Sequence, residues 1–163
     1  MKQFWSLRAG VLAMAMGLAA PALALTAEEA RAVVDIVEVM AAETGEGMVA
    51  DAGDLYFDYD SLGANRIPAA GFSRESWAVA YDAVASGYMA TLSQEDFDAV
   101  FAAPMAQLEA SALPEDQKTM LRDHIAGLVA EAQATRQQGM VHADVVRPLE
   151  DRLYALFFGD FEE

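Results

Sequence analysis

Trp77, Tyr81, Val84 and Tyr88 follow one another at spacings of three or four, which sets all four on one side of an α-helix. The chain has no cysteine. A stripe with this much ring surface must therefore be held by packing alone. A second apolar line, Phe97, Phe101, Met105 and Leu108, again keeps spacings of three or four after a joint at Leu92-Ser93. Two helices joined by so few residues are expected to fold back as an αα-hairpin, with both rows inward. The pattern describes a core and names no chemistry.

The N-terminus reads as a leader rather than as structure. Lys2 and Arg8 precede a small apolar run, Ala9 to Ala20, then Pro21 and Ala22-Leu23-Ala24. A basic start, about a dozen apolar residues and small residues at a cleavage site describe a secretory signal peptide over 1–24. The run is shorter than the roughly 20 residues that span a bilayer. The expected product is periplasmic or secreted, with no stable membrane insertion after signal cleavage. Cleavage leaves 139 residues and takes away two bases but no acid, so the net charge moves from −16 to −18. Such a surface is repelled by phosphate backbones and anionic headgroups, which argues against nucleic acid as a partner. Lacking cysteine, the chain also has no thiol catalysis, disulfide exchange or thiolate-held metal.

Thr26-Ala-Glu-Glu29 is a capping box, followed by the stripe Val33, Ile36, Val37, Met40, and predicts a helix over about 27–43. Between Glu46 and Gly63, Met48, Ala52, Leu55 and Tyr59 keep helical spacing while Asp51, Asp54 and Asp58 take the other side. Leu55, Phe57 and Tyr59 also alternate as a strand would. The helical stripe covers more residues, so a helix to about Ser61, capped by Gly63, is the expectation. Residues 64–72 read as a loop. Ser73 and Ser93 are expected N-caps, and Pro104 is expected to kink or end the helix that carries it. Leu121, Ile125, Leu128 and Ala132 form the next stripe, which Gly139 stops. Val145, Leu149, Leu153 and Leu156 form the last, with Pro148 near its start, Gly159 closing it and Phe161 folding back. The expected fold is all-α: a small irregular bundle of about five or six helices in one domain, 25–163.

Three stretches hold candidate chemistry. Asp51, Asp54, Asp58 and Asp60 make an acidic run suited to weak divalent-cation binding. Asp58-Tyr-Asp60-Ser-Leu62-Gly63 resembles the opening of a calcium-binding EF-hand loop at three places. It departs where Leu62 replaces an oxygen ligand and Ala69 replaces the bidentate glutamate. Only two histidines occur, His124 and His142, with no H-x-x-x-H spacing. Glu75-Ser76 resembles the catalytic glutamate–serine pair of lytic transglycosylases, which implies a cell-wall glycan hydrolase with Glu75 as general acid. The glycine-rich and tyrosine-bearing motifs of that family have no counterpart here. The run Tyr88 to Met105 is also similar in rhythm to secreted bacterial helical domains, which implies an exported helical fold and no activity.

No nucleophile elbow and no phosphate loop is present. The reading favoured by the sequence is thus a non-enzymatic, exported binding module without a resident cofactor. Its partner is a protein or peptide of the cell envelope, and Tyr56, Trp77, Tyr81 and Tyr88 are its expected contact residues. With Leu55, Phe57 and Tyr59 they give more aromatic surface than 139 residues readily bury, so part of it is expected as an exposed patch.

Overall fold

The computed structural model describes residues 24–159; the leader up to residue 23 and Phe161 lie outside them. Every regular element among the described residues is a helix, with no strand. Six helices have nine or more residues: α1 (Ala27–Thr44), α2 (Gly53–Ser61), α4 (Arg74–Thr91), α5 (Gln94–Ala110), α6 (Glu115–Gly139) and α8 (Glu150–Phe158). Two short pieces complete the order, α3 (Arg66–Ala69) and α7 (Ala143–Val146), the latter passing through a 3₁₀ turn at Arg147–Leu149 into α8. No helix among the described residues is long and apolar enough to cross a membrane.

Local chemistry starts the long helices where the sequence places them. The Thr26 hydroxyl accepts the Glu29 N–H at 3.1 Å while the Glu29 carboxylate accepts the Thr26 N–H at 2.9 Å, satisfying two of α1's orphan donors. Ser73 caps α4 in the same way, with Ser76 as the reciprocal partner. Ser93 caps α5 by accepting the Asp96 N–H at 3.0 Å.

α4 is the central helix, packed against α1, α2, α6 and α7. Trp77, Tyr81, Val84 and Tyr88 are all 0% exposed. Each ring buries on the order of 150–250 Å², so this row outweighs any single hydrogen bond in the molecule. Val33, Val37 and Met40 of α1 and Leu153 and Leu156 of α8 fill the same core. Arg152 fastens α8 to α1, donating to Asp35 at 2.6 Å and to Glu38 at 2.7 Å.

Three expectations are corrected. The αα-hairpin does not form at Leu92-Ser93, where both residues are extended but α5 leaves α4 and runs along α6 instead. The turn-back comes at residues 111–114, so α6 returns past both predecessors. Arg122 reaches Glu109 at 2.6 Å, Arg136 reaches the Leu92 carbonyl at 2.6 Å, and Gly139 meets Ser86. Only Phe97 and Leu108 of α5's row are buried, while Phe101 and Met105 are half-exposed. The face that α6 buries is also rotated from the predicted stripe, with Lys118 and Gly139 inside and Leu121 and Leu128 outside.

The second correction concerns residues 46–52, which are neither helix nor strand. Tertiary partners take the backbone groups a helix would use. Met48 N–H donates to the Leu156 carbonyl at 2.8 Å, and the Tyr81 hydroxyl both donates to the Val49 carbonyl at 2.7 Å and accepts its N–H. Third, residues 66–69, expected within a loop, form the short helix α3. Of the two outcomes expected at Pro104, the helix does not end there, since α5 runs on to Ala110. Gly139 does end α6, and it is also where the helix comes close to α4. A Cβ there would lie 1.9 Å from the Ser86 carbonyl oxygen, so only glycine permits this approach of α6 to α4.

Candidate functional site

The acidic run Asp51–Asp60 is divided by the fold. Asp54 accepts from Arg74 at 2.9 Å, and Asp58 pairs with the same guanidinium. Asp51 is exposed on a left-handed backbone at φ 58°. Asp60 turns inward and is 1% exposed. Its Oδ2 accepts the Ile67 N–H at 2.8 Å and so anchors α3, while Oδ1 makes no hydrogen bond and lies 3.8 Å from Arg66 Nη1. Among the described residues, no three histidine or carboxylate side chains converge as a metal site. His124 is exposed on α6, and His142 is half-buried with its Cβ against Gly87.

Glu75 is exposed in the first turn of α4. Ser76, its neighbour in the transglycosylase-like pair, donates and accepts within the cap of Ser73.

Of the set expected to leave part of its surface exposed, the four named contact rings are mostly interior. Trp77, Tyr81 and Tyr88 are fully buried, and Tyr56 is half-buried. The Trp77 indole donates to the Gly53 carbonyl at 2.9 Å and the Tyr56 hydroxyl to the Gly47 carbonyl at 2.6 Å. These rings hold the 46–53 segment against α4. The exposed part of that set is Leu55 and Tyr59 on α2.

Tyr88 differs from the other buried rings. It stacks on Phe157 of α8, centroids 5.1 Å apart, yet its hydroxyl makes no hydrogen bond among the described residues. Buried polar groups are paired in the large majority of cases, so an orphan asks for a reason. Tyr88 lies in a groove of about 500 Å³ between the α4–α5 joint and α8. Val100, Tyr154 and Phe158 form its apolar walls, and Val100, Tyr154 and Phe158 are 39%, 60% and 43% exposed. Asp96, Glu150 and Asp151 edge it, and no basic residue lines it. Burial pushes the Tyr88 phenol up to about 12, and the charges of Glu150 and Asp96 add to the rise. The hydroxyl is therefore neutral, able to donate one hydrogen bond and accept others.

The groove brings together residues that no sequence pattern joined. Tyr88 belongs to the predicted set, but Asp96 reads as a first-turn acid and Glu150 and Asp151 as the same on another helix, where the dipole favours them. One signal was present. Tyr154 and Phe158, four apart, lie off the stripe of Val145, Leu149, Leu153 and Leu156, and their rings sit 5.4 Å apart. An aromatic pair on the polar side of an amphipathic helix marks a surface with a use.

No protein-family model, curated protein or solved structure matches this chain.

Proposed function

We propose that the protein is an exported binding module, periplasmic or secreted, that performs no reaction of its own and seats a segment of a partner polypeptide between α5 and α8. The observation that carries this reading is the Tyr88 hydroxyl, fully buried, without a partner, in a groove with exposed aromatic walls. An orphaned buried hydroxyl costs on the order of 1–3 kcal/mol, which a bound ligand returns. A photo-crosslinking residue at Ala99, on the groove, should give a discrete adduct in the native envelope. The same residue at exposed Ala126, on α6 and outside the groove, should not. Identical adducts from both positions, or none from Ala99, would overturn the reading.

The rival is a divalent-cation binder through Asp51, Asp54, Asp58 and Asp60, and one observation supports it: the unpartnered Oδ1 of buried Asp60. Arg74 already neutralises Asp54 and Asp58, and Arg66 stands beside Asp60. Calorimetric titration with calcium, zinc and copper separates the two, since the groove reading expects no heat at micromolar metal.

A further inference from the structure

Resting on the groove reading above, we infer that the seat between α5 and α8 is built for one cationic side chain of the partner, a lysine or an arginine. The head would sit among Asp96, Glu150 and Asp151, and the stem along the aromatic walls.

Three classes of occupant can be weighed against the lining. An anionic group would face three carboxylates with no base to receive it, which disfavours it strongly in a partly desolvated site. A neutral apolar group would cover the walls but leave the Tyr88 hydroxyl unpaired, so the cost of burying that group would persist. A cation on an alkyl stem meets every element. Its N–H donors would face the rim carboxylates and the phenol oxygen, which is near enough to Glu150 and Asp96 to feel their charge, and its methylenes would lie on Val100. The Tyr154 and Phe158 rings, inclined at 48° to each other, offer π faces to the head.

The acids at the rim are free to take it. No salt bridge to Glu150, Asp151 or Asp96 forms among the described residues, whereas Arg66, Arg74, Arg122 and Arg152 all sit on carboxylates elsewhere. Asp96 accepts one bond, from the Ser93 hydroxyl at 2.6 Å, which leaves its second oxygen available. A second copy of this chain offers no lysine for the seat. After the leader the only one is Lys118, which is 8% exposed and donates to the Glu109 carbonyl at 2.8 Å. Arg31 and Arg147 of a second copy are exposed, but two copies that each carry −18 repel as whole bodies. The occupant is therefore assigned to another protein, and charge complementarity makes its segment basic.

The test uses three pentapeptides that differ only at the centre, acetyl-Ala-Leu-X-Leu-Ala-amide with X as lysine, norleucine or glutamate. They are titrated into the full mature chain at about 0.15 M salt, where exposed charges beyond roughly 8 Å are screened. Two-dimensional NMR should place the lysine peptide at Tyr88, Val100, Tyr154 and Phe158, with affinity about tenfold above the norleucine peptide and no binding of the glutamate one. Glu150→Gln with Asp151→Asn should erase the lysine preference, Tyr88→Phe should weaken binding severalfold, and Asp116→Asn, an acid outside the groove, should change nothing. Equal affinity for lysine and norleucine overturns the cationic seat and leaves the groove standing. Shifts spread over the whole acidic surface overturn it as well. Silence from all three peptides up to about 10 mM overturns both the seat and the groove.

Discussion

Tyr81 and Tyr88 sit two turns apart on the same face of α4, and both are 0% exposed. They are used in opposite ways. The Tyr81 hydroxyl holds both the N–H and the carbonyl of Val49, stitching an irregular segment to the core. The Tyr88 hydroxyl holds nothing among the described residues. Burial is thus the same at the two ends, and polar satisfaction is what distinguishes them. The Tyr81 end is closed by its own chain, with Tyr56 and Trp77 each within 6 Å of its ring centroid. The Tyr88 end opens on a groove whose acids and rings are free.

The largest effect tests whether the Tyr88 end is rigid enough to hold a seat. Gly139→Ala puts a Cβ 1.9 Å from the Ser86 carbonyl, one residue from Gly87, which in turn abuts Val146 and His142. Backbone blocks backbone there, so neither side can yield cheaply. A loss of about 3 kcal/mol is expected even after alanine's better helix propensity. Gly127→Ala, on the same helix with nothing within 4 Å, should instead stabilise by up to about 1 kcal/mol. Urea unfolding of both variants checks the pair. Equal effects would mean that α4 and α6 are not in such close contact, and the groove wall they support would be soft.

Tyr81→Phe comes next. It leaves the Val49 N–H and carbonyl without their partner, and Val49 is 61% exposed, so water replaces part of the loss. A cost of about 1 kcal/mol is expected, read as a Tm drop of roughly 3–5 °C for a chain this size. Hydrogen exchange at Met48 and Val49 should quicken with it. Unchanged exchange there would remove the stitching role.

The sequence made the caps and the central stripe legible because both depend on neighbours within one helical turn. Thr26, Ser73 and Ser93 do what their spacing says, and Trp77, Tyr81, Val84 and Tyr88 are interior as a stripe of that kind must be. What failed depended on partners far along the chain. Residues 46–52 carry a helical pattern that Tyr81 and Leu156 override. The Leu92-Ser93 joint has the length of a hairpin turn, but α6 offers α5 a longer surface than α4 does. The groove was invisible for the same reason, since its lining comes from α4 and α5 on one side and, fifty or more residues further along, from α8 on the other. Local codes give the elements, and distant satisfaction decides the site.

Asp82 gives a smaller, pH-dependent difference on α4, one residue after Tyr81. Partial desolvation by the groups around it first, then the nearby Asp51 and Asp54, raises its carboxyl above the usual range although the side chain still reaches solvent. A raised folded-state value means the protonated form is favoured. Its stabilising contribution is full below the ordinary carboxylate range and is lost as pH rises through the folded value. Asp82→Asn should therefore stabilise at pH 7, by less than about half a kcal/mol because the side chain is exposed. The difference should close as pH falls toward about 3. A gap that widens on acidification would reverse the sign and show that Asp82 is held by a favourable partner.

The smallest expected change in stability is the most discriminating. Tyr88→Phe keeps the ring, its stack on Phe157 and its burial, and removes only an oxygen that bonds to nothing. With no partner left behind, the cost should fall within about half a kcal/mol of zero, or stability should rise slightly. Set beside Tyr81→Phe, the same chemical deletion on the same helix then reads differently at the two ends. A loss of about 1 kcal/mol or more at Tyr88 would mean that its hydroxyl is already satisfied within the fold. The groove would then lose its one unpaired polar group, and the two ends of α4 would differ in shape alone.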